Sequence, residues 1–189
     1  LKAAAVTNVT NVTNISGTFA ELNALITLSD ASTLTNFNGR NLIEDSGSSI
    51  SVANANTLSG KTTGTVTATL GTISLADSAA ITETGHAYTI TLSDTSVDAG
   101  DLSTLDGKTT VDVNITNVTT LTGTFTEVQQ FFTDKANFSN NTNIATITLD
   151  AGAIADAGAL KTFHDNMRLL KGAAVTNVTN VTNISGTFA

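Results

Sequence analysis

Cysteine, proline and tryptophan are absent from the 189-residue chain, and methionine and tyrosine occur once each. Without cysteine neither a disulfide nor a thiolate metal site can form. Aromatic residues make up 5% of the chain, so the interior has to be thin and lined by Ala, Val, Ile and Leu. Eight Lys and Arg stand against 16 Asp and Glu, a formal net charge of −8. Such a balance leaves no basic patch to displace counterions from nucleic acid or to hold an anionic bilayer. No run of about 18 apolar residues occurs, so no segment reads as a membrane-spanning helix. What is present is 40% hydrophobic residues, which argues for a folded interior over disorder.

Repetition is the main positive signal. Leu1–Ala20 recurs as Leu170–Ala189 with one change, Ala3 against Gly172, at an offset of 169 residues. Self-similarity at a fixed period marks a tandem array, and residues 1–189 read as one continuous window of it. A second layer lies inside the period. Thr57–Thr63 aligns with Thr104–Thr110, and Ile26–Ser32 with Ile73–Ala79, both 47 residues on. Gly17–Leu22 aligns with Gly123–Val128, and Asp98–Leu102 with Asp156–Leu160. The repeat therefore divides into 2–60, 61–107 and 108–170, with 171–189 opening the next. The unequal lengths read as insertions, one at Asn36–Ser48 and another in the stretch after Leu160.

Thr65–Thr69, Tyr88–Leu92 and Val111–Ile115 alternate apolar residues with polar ones, mostly Thr, the period of a strand with one buried face. Gly, Asn, Asp and Ser between them supply turns. Thr18 with Glu21 and Thr124 with Glu127 have capping-box spacing and announce helices. Leu160, Phe163, Met167 and Leu170 share a helical face within Asp156–Leu170, and Asp98–Asp106 reads as a shorter helical turn. Val6, Val9, Val12 and Ile15 recur every three residues, which fits neither period and suggests a chain turning corners. Regular hairpins are not indicated, since Asn38-Gly39 is the one Asn-Gly pair. The fold class expected is mainly β, a parallel β-solenoid with short helices and turns inserted between coils of about 20–25 residues.

Catalytic constellations are poorly supplied. His86 and His164 are the two histidines, and only His164 has an adjacent carboxylate, Asp165. No Gly-x-Ser-x-Gly elbow accompanies them. The scarcity of aromatic platforms argues against a sugar-cleaving carboxylate pair. The Thr-x-Thr runs are too interrupted for a flat water-ordering face. Asp94, Asp98, Asp101 and Asp106 fall within thirteen residues and make the weak metal candidates, because calcium takes six to eight oxygen ligands. The simpler expectation is that they cap turns and helices. Asn-x-Ser/Thr triplets at Asn8, Asn11, Asn14, Asn114, Asn117, Asn137 and Asn140 follow from a chain rich in Asn and Thr, and such side chains suit hydrogen-bonded ladders between coils.

Phrases such as Asp101–Thr110 and Val118–Thr124 resemble the repeats of giant cell-surface proteins of marine cyanobacteria, the group that includes swimming-motility surface proteins. The resemblance implies a very long protein, exported by a type I system and displayed outside the cell, and it implies no catalytic residue or cofactor. The Gly-Gly-x-Gly-x-Asp calcium nonapeptides of that secretion class are missing from this sequence. The expected function is a non-enzymatic structural one, a bacterial filament, sheath or adhesin stalk whose partner is itself. The repeat interface is placed at Val6, Val9, Val12, Ile15 and Phe19 and at their equivalents Val175, Val178, Val181, Ile184 and Phe188. Two alternatives are an adhesin that recognises a surface glycan or protein through Asn36–Ser48 and Phe131–Asn143, and a phage tail fibre.

Overall fold

A computed structural model describes residues 6–154, 158, 161–166 and 178–184. In chain order the elements are β1 (Asn14–Gly17), α1 (Phe19–Asp30), β2 (Asn41–Glu44), α2 (Val52–Ser59), β3 (Val66–Ile73), α3 (Leu75–Ser78), β4 (Ala87–Leu92), β5 (Ser96–Asp98), α4 (Ala99–Asp106), β6 (Val113–Asn114), β7 (Thr120–Gly123), α5 (Phe125–Asp134), β8 (Phe138–Ser139), β9 (Thr146–Ile154) and β10 (Val178–Ile184). Residues 161–166 are also helical.

The strands form a six-stranded sheet in the order β1-β2-β3-β4-β6-β8 and a four-stranded sheet in the order β10-β9-β7-β5. Each strand lies beside the next strand of its sheet along the chain. Registered pairs are parallel, as in Ile15↔Leu42, Leu42↔Val66, Thr91↔Asn114 and Leu121↔Ile147. A parallel neighbour cannot be reached by a tight hairpin; it needs a crossover of a dozen or more residues, usually a helix. Here α1, α2, α4 and α5 fill that role.

This overturns the expected mainly β solenoid. The chain is an α/β fold, because the residues between strands are spent on helices and not on short turns. The helices were hard to see. Val52–Ser59 reads Val-Ala-Asn-Ala-Asn-Thr-Leu-Ser, with three buried positions, Ala55, Leu58 and Ser59. Thr18 and Thr124 do cap α1 and α5 through complete capping boxes, as the sequence indicated.

The two segments offered for recognition are built into the fold. Asn36–Ser48 contains β2, whose Leu42 is fully buried between Ile15 and Val66. Phe131–Asn143 contains the end of α5 and β8, and Phe131, Phe132 and Phe138 are all buried. Neither segment is a projecting loop. Of the predicted helix Asp156–Leu170, Phe163 is buried within 161–166, while Leu160, Met167 and Leu170 lie outside the described residues.

Two compact units divide the described chain. The first comprises 6–71, 76–90 and 107–111, and the second comprises 72–75, 91–106 and the described residues from 112 onward. In the first, Leu22 and Ile26 of α1, Leu58 of α2 and Val66 of β3 are buried. Along β3, Val66, Ala68 and Leu70 point inward while Thr67 and Thr69 are exposed, the period of two visible in the sequence. In the second, Leu102 of α4, Val128 of α5 and Leu121 of β7 are buried. Phe131 stacks on Phe138 at 5.4 Å and meets Phe132 edge-on at 5.8 Å. Burying one such side chain stabilises by about 1.5–3 kcal/mol.

Candidate functional site

Polar side chains at or near the strand ends reach backbone one crossover earlier in the chain. In the first unit Thr62, His86 and Thr109 stand 24 and 23 residues apart and are 8%, 7% and 8% exposed. Each bonds backbone 20 to 22 residues earlier in the chain. The Thr62 hydroxyl donates to the Arg40 carbonyl at 2.6 Å and accepts the Gly64 N–H at 2.9 Å. The Thr109 hydroxyl donates to the Tyr88 carbonyl at 2.8 Å and accepts the N–H groups of Tyr88 and Val111. His86 takes the same place in the row between them, with its Nδ1 accepting the Val66 N–H at 3.1 Å. Burial pushes the imidazole below its ordinary value, against a smaller upward pull from Glu83. Gly64 packs so closely on the Arg40 backbone that no side chain fits there.

Asparagine adds a second series. Asn41 Nδ2 donates to Asn14 Oδ1 across β2 and β1 at 2.9 Å. Asn140 donates to Asn114 at 2.9 Å, and Asn36 to Asn8 at 3.1 Å. Asn117 reaches the Leu92 carbonyl at 2.7 Å, and Asn56 the Ala80 carbonyl at 2.8 Å. The amide suits this because it offers a donor and an acceptor on one short side chain. Several of the Asn-x-Thr triplets thus carry side chains engaged in inter-strand bonds.

Among the described residues, β1 and β10 each pair on one side only, β1 with β2 and β10 with β9. They also carry parts of the same repeated sequence, since Val9–Ile15 and Val178–Ile184 are identical. The local structures differ. Val178–Ile184 is a strand throughout. In the first copy a turn closes with Val12 N–H on the Val9 carbonyl at 3.0 Å, and the strand begins only at Asn14. Arg40 holds that turn through Nη1, which donates to the carbonyls of Thr10 at 3.0 Å and Val12 at 2.6 Å. The corner suggested by the period of three is therefore present in one copy and absent from the other.

The ten interface candidates fall as follows. Val6 and Val12 are 72% and 36% exposed, Val9 is buried, and Ile15 and Phe19 are half-buried. Val178, Val181 and Ile184 lie on β10. Val175 and Phe188 lie outside the described residues.

The four clustered aspartates sit at element ends. Asp94 accepts the Leu75 N–H at the start of α3, and Asp98 accepts those of Gly100 and Asp101 at the start of α4. Asp106 accepts from Asn137 at 2.9 Å, while Asp101 is exposed in the first turn of α4. Among the described residues no three His, Cys, Asp or Glu side chains are gathered as metal ligands would be. The backbone N–H of Thr18 and then its hydroxyl hold the Glu21 carboxyl below the usual carboxylate range, and Thr124 does the same for Glu127. His164 is an exposed helix residue beside Asp165, whose carboxylate Lys161 also meets.

Sequence reasoning passed over Thr62, Thr109 and Arg40, and treated His86 only as a catalytic candidate. The repeated Gly-Lys-Thr-Thr at 60–63 and 107–110 was the available signal for the two threonines. No protein-family model, curated protein or solved structure matches this chain.

Proposed function

We propose that this chain is the repeat unit of an extracellular structural protein, a filament, sheath or adhesin stalk, whose repeats join end to end along the edges of parallel sheets. The observation that carries this reading is that one repeated sequence supplies one of the two edge strands of each sheet, β1 in one and β10 in the other. An unpaired parallel edge is a row of N–H and C=O groups open to another strand. In an array, the seam of one repeat covers the edge left by its neighbour. Strands that add in chain order, several of them tied to the next by Thr, Asn or His side chains, suit a mechanical role better than a catalytic one. Each such bond contributes about 0.5–1.5 kcal/mol net, and a pull along the array is shared among many of them. The partner is a further repeat of the same kind, and the resemblance to secreted surface repeats supports a place on the cell surface.

Electron cryomicroscopy of chains with two, four and six repeats tests the reading. The expected result is a continuous body that lengthens by one constant increment per repeat. Separate beads at variable spacing would sink it.

A further inference from the structure

We propose that Val9–Ile15 of a second copy of this chain binds along β9, in the place that β10 fills within one copy. The inference rests on the end-to-end reading and names the strand exchange that makes the joint.

Val9–Ile15 and Val178–Ile184 are the same seven residues, so the backbone and side-chain chemistry that seats β10 on β9 is present at both places. The register is Val178↔Ile147, Thr179↔Thr148, Val181↔Gly152 and Ile184↔Ile154, with two irregularities. Val9, Thr10, Val12 and Ile15 of a second copy would take those positions in turn. Within one copy most of this segment is held back from strand form by the Val9–Val12 turn, by Arg40 on the Thr10 and Val12 carbonyls, and by Asn8, which accepts the Thr10 N–H at 2.8 Å. Val6 and Val12 are also two of the three large hydrophobic side chains left exposed among the described residues.

The two pairings share four residues. β1 meets β2 through Asn14–Gly17, and ahead of it the Val9 N–H bonds the Thr35 carbonyl and the Thr13 carbonyl accepts the Asn41 N–H, so Val9, Thr13, Asn14 and Ile15 belong to both footprints, while a strand has two hydrogen-bonding edges. One segment can therefore stay on β2 of its own copy and take β9 of the next. Such a contact is head-to-tail, so each added copy leaves a further segment and a further β9 for the next. In a free chain β10 acts as a plug that covers β9 and stops growth.

The test uses the full chain with Val178→Pro and Val181→Pro, which remove two backbone donors from β10. The variant should form oligomers whose mean mass rises with concentration, while the wild-type chain stays monomeric. A labelled peptide of residues 6–20 should bind the variant at least ten-fold more tightly than it binds the wild-type chain, and it should shorten the oligomers. A scrambled peptide should do neither. Adding Val9→Pro and Val12→Pro should abolish the oligomers and leave peptide binding intact. A folded variant that binds the peptide no better than wild type overturns the proposal, whatever images of longer arrays show. Beads in those images with tight peptide binding would remove the structural reading and leave the exchange standing.

A second measurement decides the matter if the proline variant does not fold. In a full chain with Gly152→Cys and with Val178→Ala and Val181→Ala, which keep the backbone donors and weaken the plug, a 6–20 peptide carrying cysteine in place of Val12 should form a disulfide with β9, and one carrying it in place of Thr18 should not. Equal capture of both peptides, or of neither, overturns the register and with it the proposal.

Discussion

The Nδ1 of His86 accepts the backbone N–H of Val66 at 3.1 Å, inside the first unit. A nitrogen that accepts this bond carries no proton, so the intact row requires a neutral ring. Its folded-state proton affinity is lowered by burial, with Glu83 opposing in part. The stability it contributes is thus present above the ordinary histidine value of 6.5 and is lost as pH falls below that value. The urea midpoint of the wild-type chain should drop between pH 7.5 and pH 5 by more than that of His86→Gln. Equal drops in the two proteins would show that His86 does not govern acid sensitivity.

Thr109 satisfies two N–H groups and one carbonyl with a single hydroxyl. Thr109→Val keeps the shape and strands those groups, and should cost about 1–3 kcal/mol in denaturant unfolding. Thr109→Ser should recover most of the loss. A valine variant as stable as wild type would mean that water or another side chain takes over the bonds.

Gly64 sits against the Arg40 backbone with no room for a Cβ atom. Gly64→Ala should therefore destabilise by about 1–3 kcal/mol or more, since backbone and not a flexible side chain would have to move. Thermal unfolding of the variant within a degree of wild type would contradict the close approach.

Thr124 caps α5 with its hydroxyl on the Glu127 N–H at 3.3 Å, and Glu127 returns the bond to the Thr124 N–H at 2.8 Å. Thr124→Ala should cost about 1 kcal/mol and let the Glu127 carboxyl titrate closer to its ordinary range. Carbon-detected NMR of the carboxyl checks the second effect independently of the first. An unmoved titration would remove Thr124 from the list of its causes.

Local chemistry was legible in the sequence where it depends on few residues. The Thr-x-x-Glu spacing located the starts of α1 and α5. Thr–apolar alternation located β3. Fold class was not legible, because it depends on what lies between strands. A helix such as Val52–Ser59, rich in Ala, Asn, Thr and Ser, carries almost no apolar face, and its helicity comes from packing and a Ser51 cap on the Asn54 N–H. β2 was not read as a strand because Asn41–Glu44 is too short for alternation to register. The polar row was half visible. The 47-residue offset joins Thr62 to Thr109, yet the member between them is a histidine, and a change of residue type hides an equivalence that only backbone geometry reveals.

The turn at Val9–Val12 and the strand at Val178–Ile184 are one sequence in two shapes. In genetic terms, an array built on such a seam is indifferent to copy number. Unequal crossing-over that adds or deletes a 169-residue period leaves every remaining junction with the same residues on both sides. Length can then drift between lineages without any interface having to be reinvented, and the near-identity of Leu1–Ala20 and Leu170–Ala189 is the trace such exchange would leave.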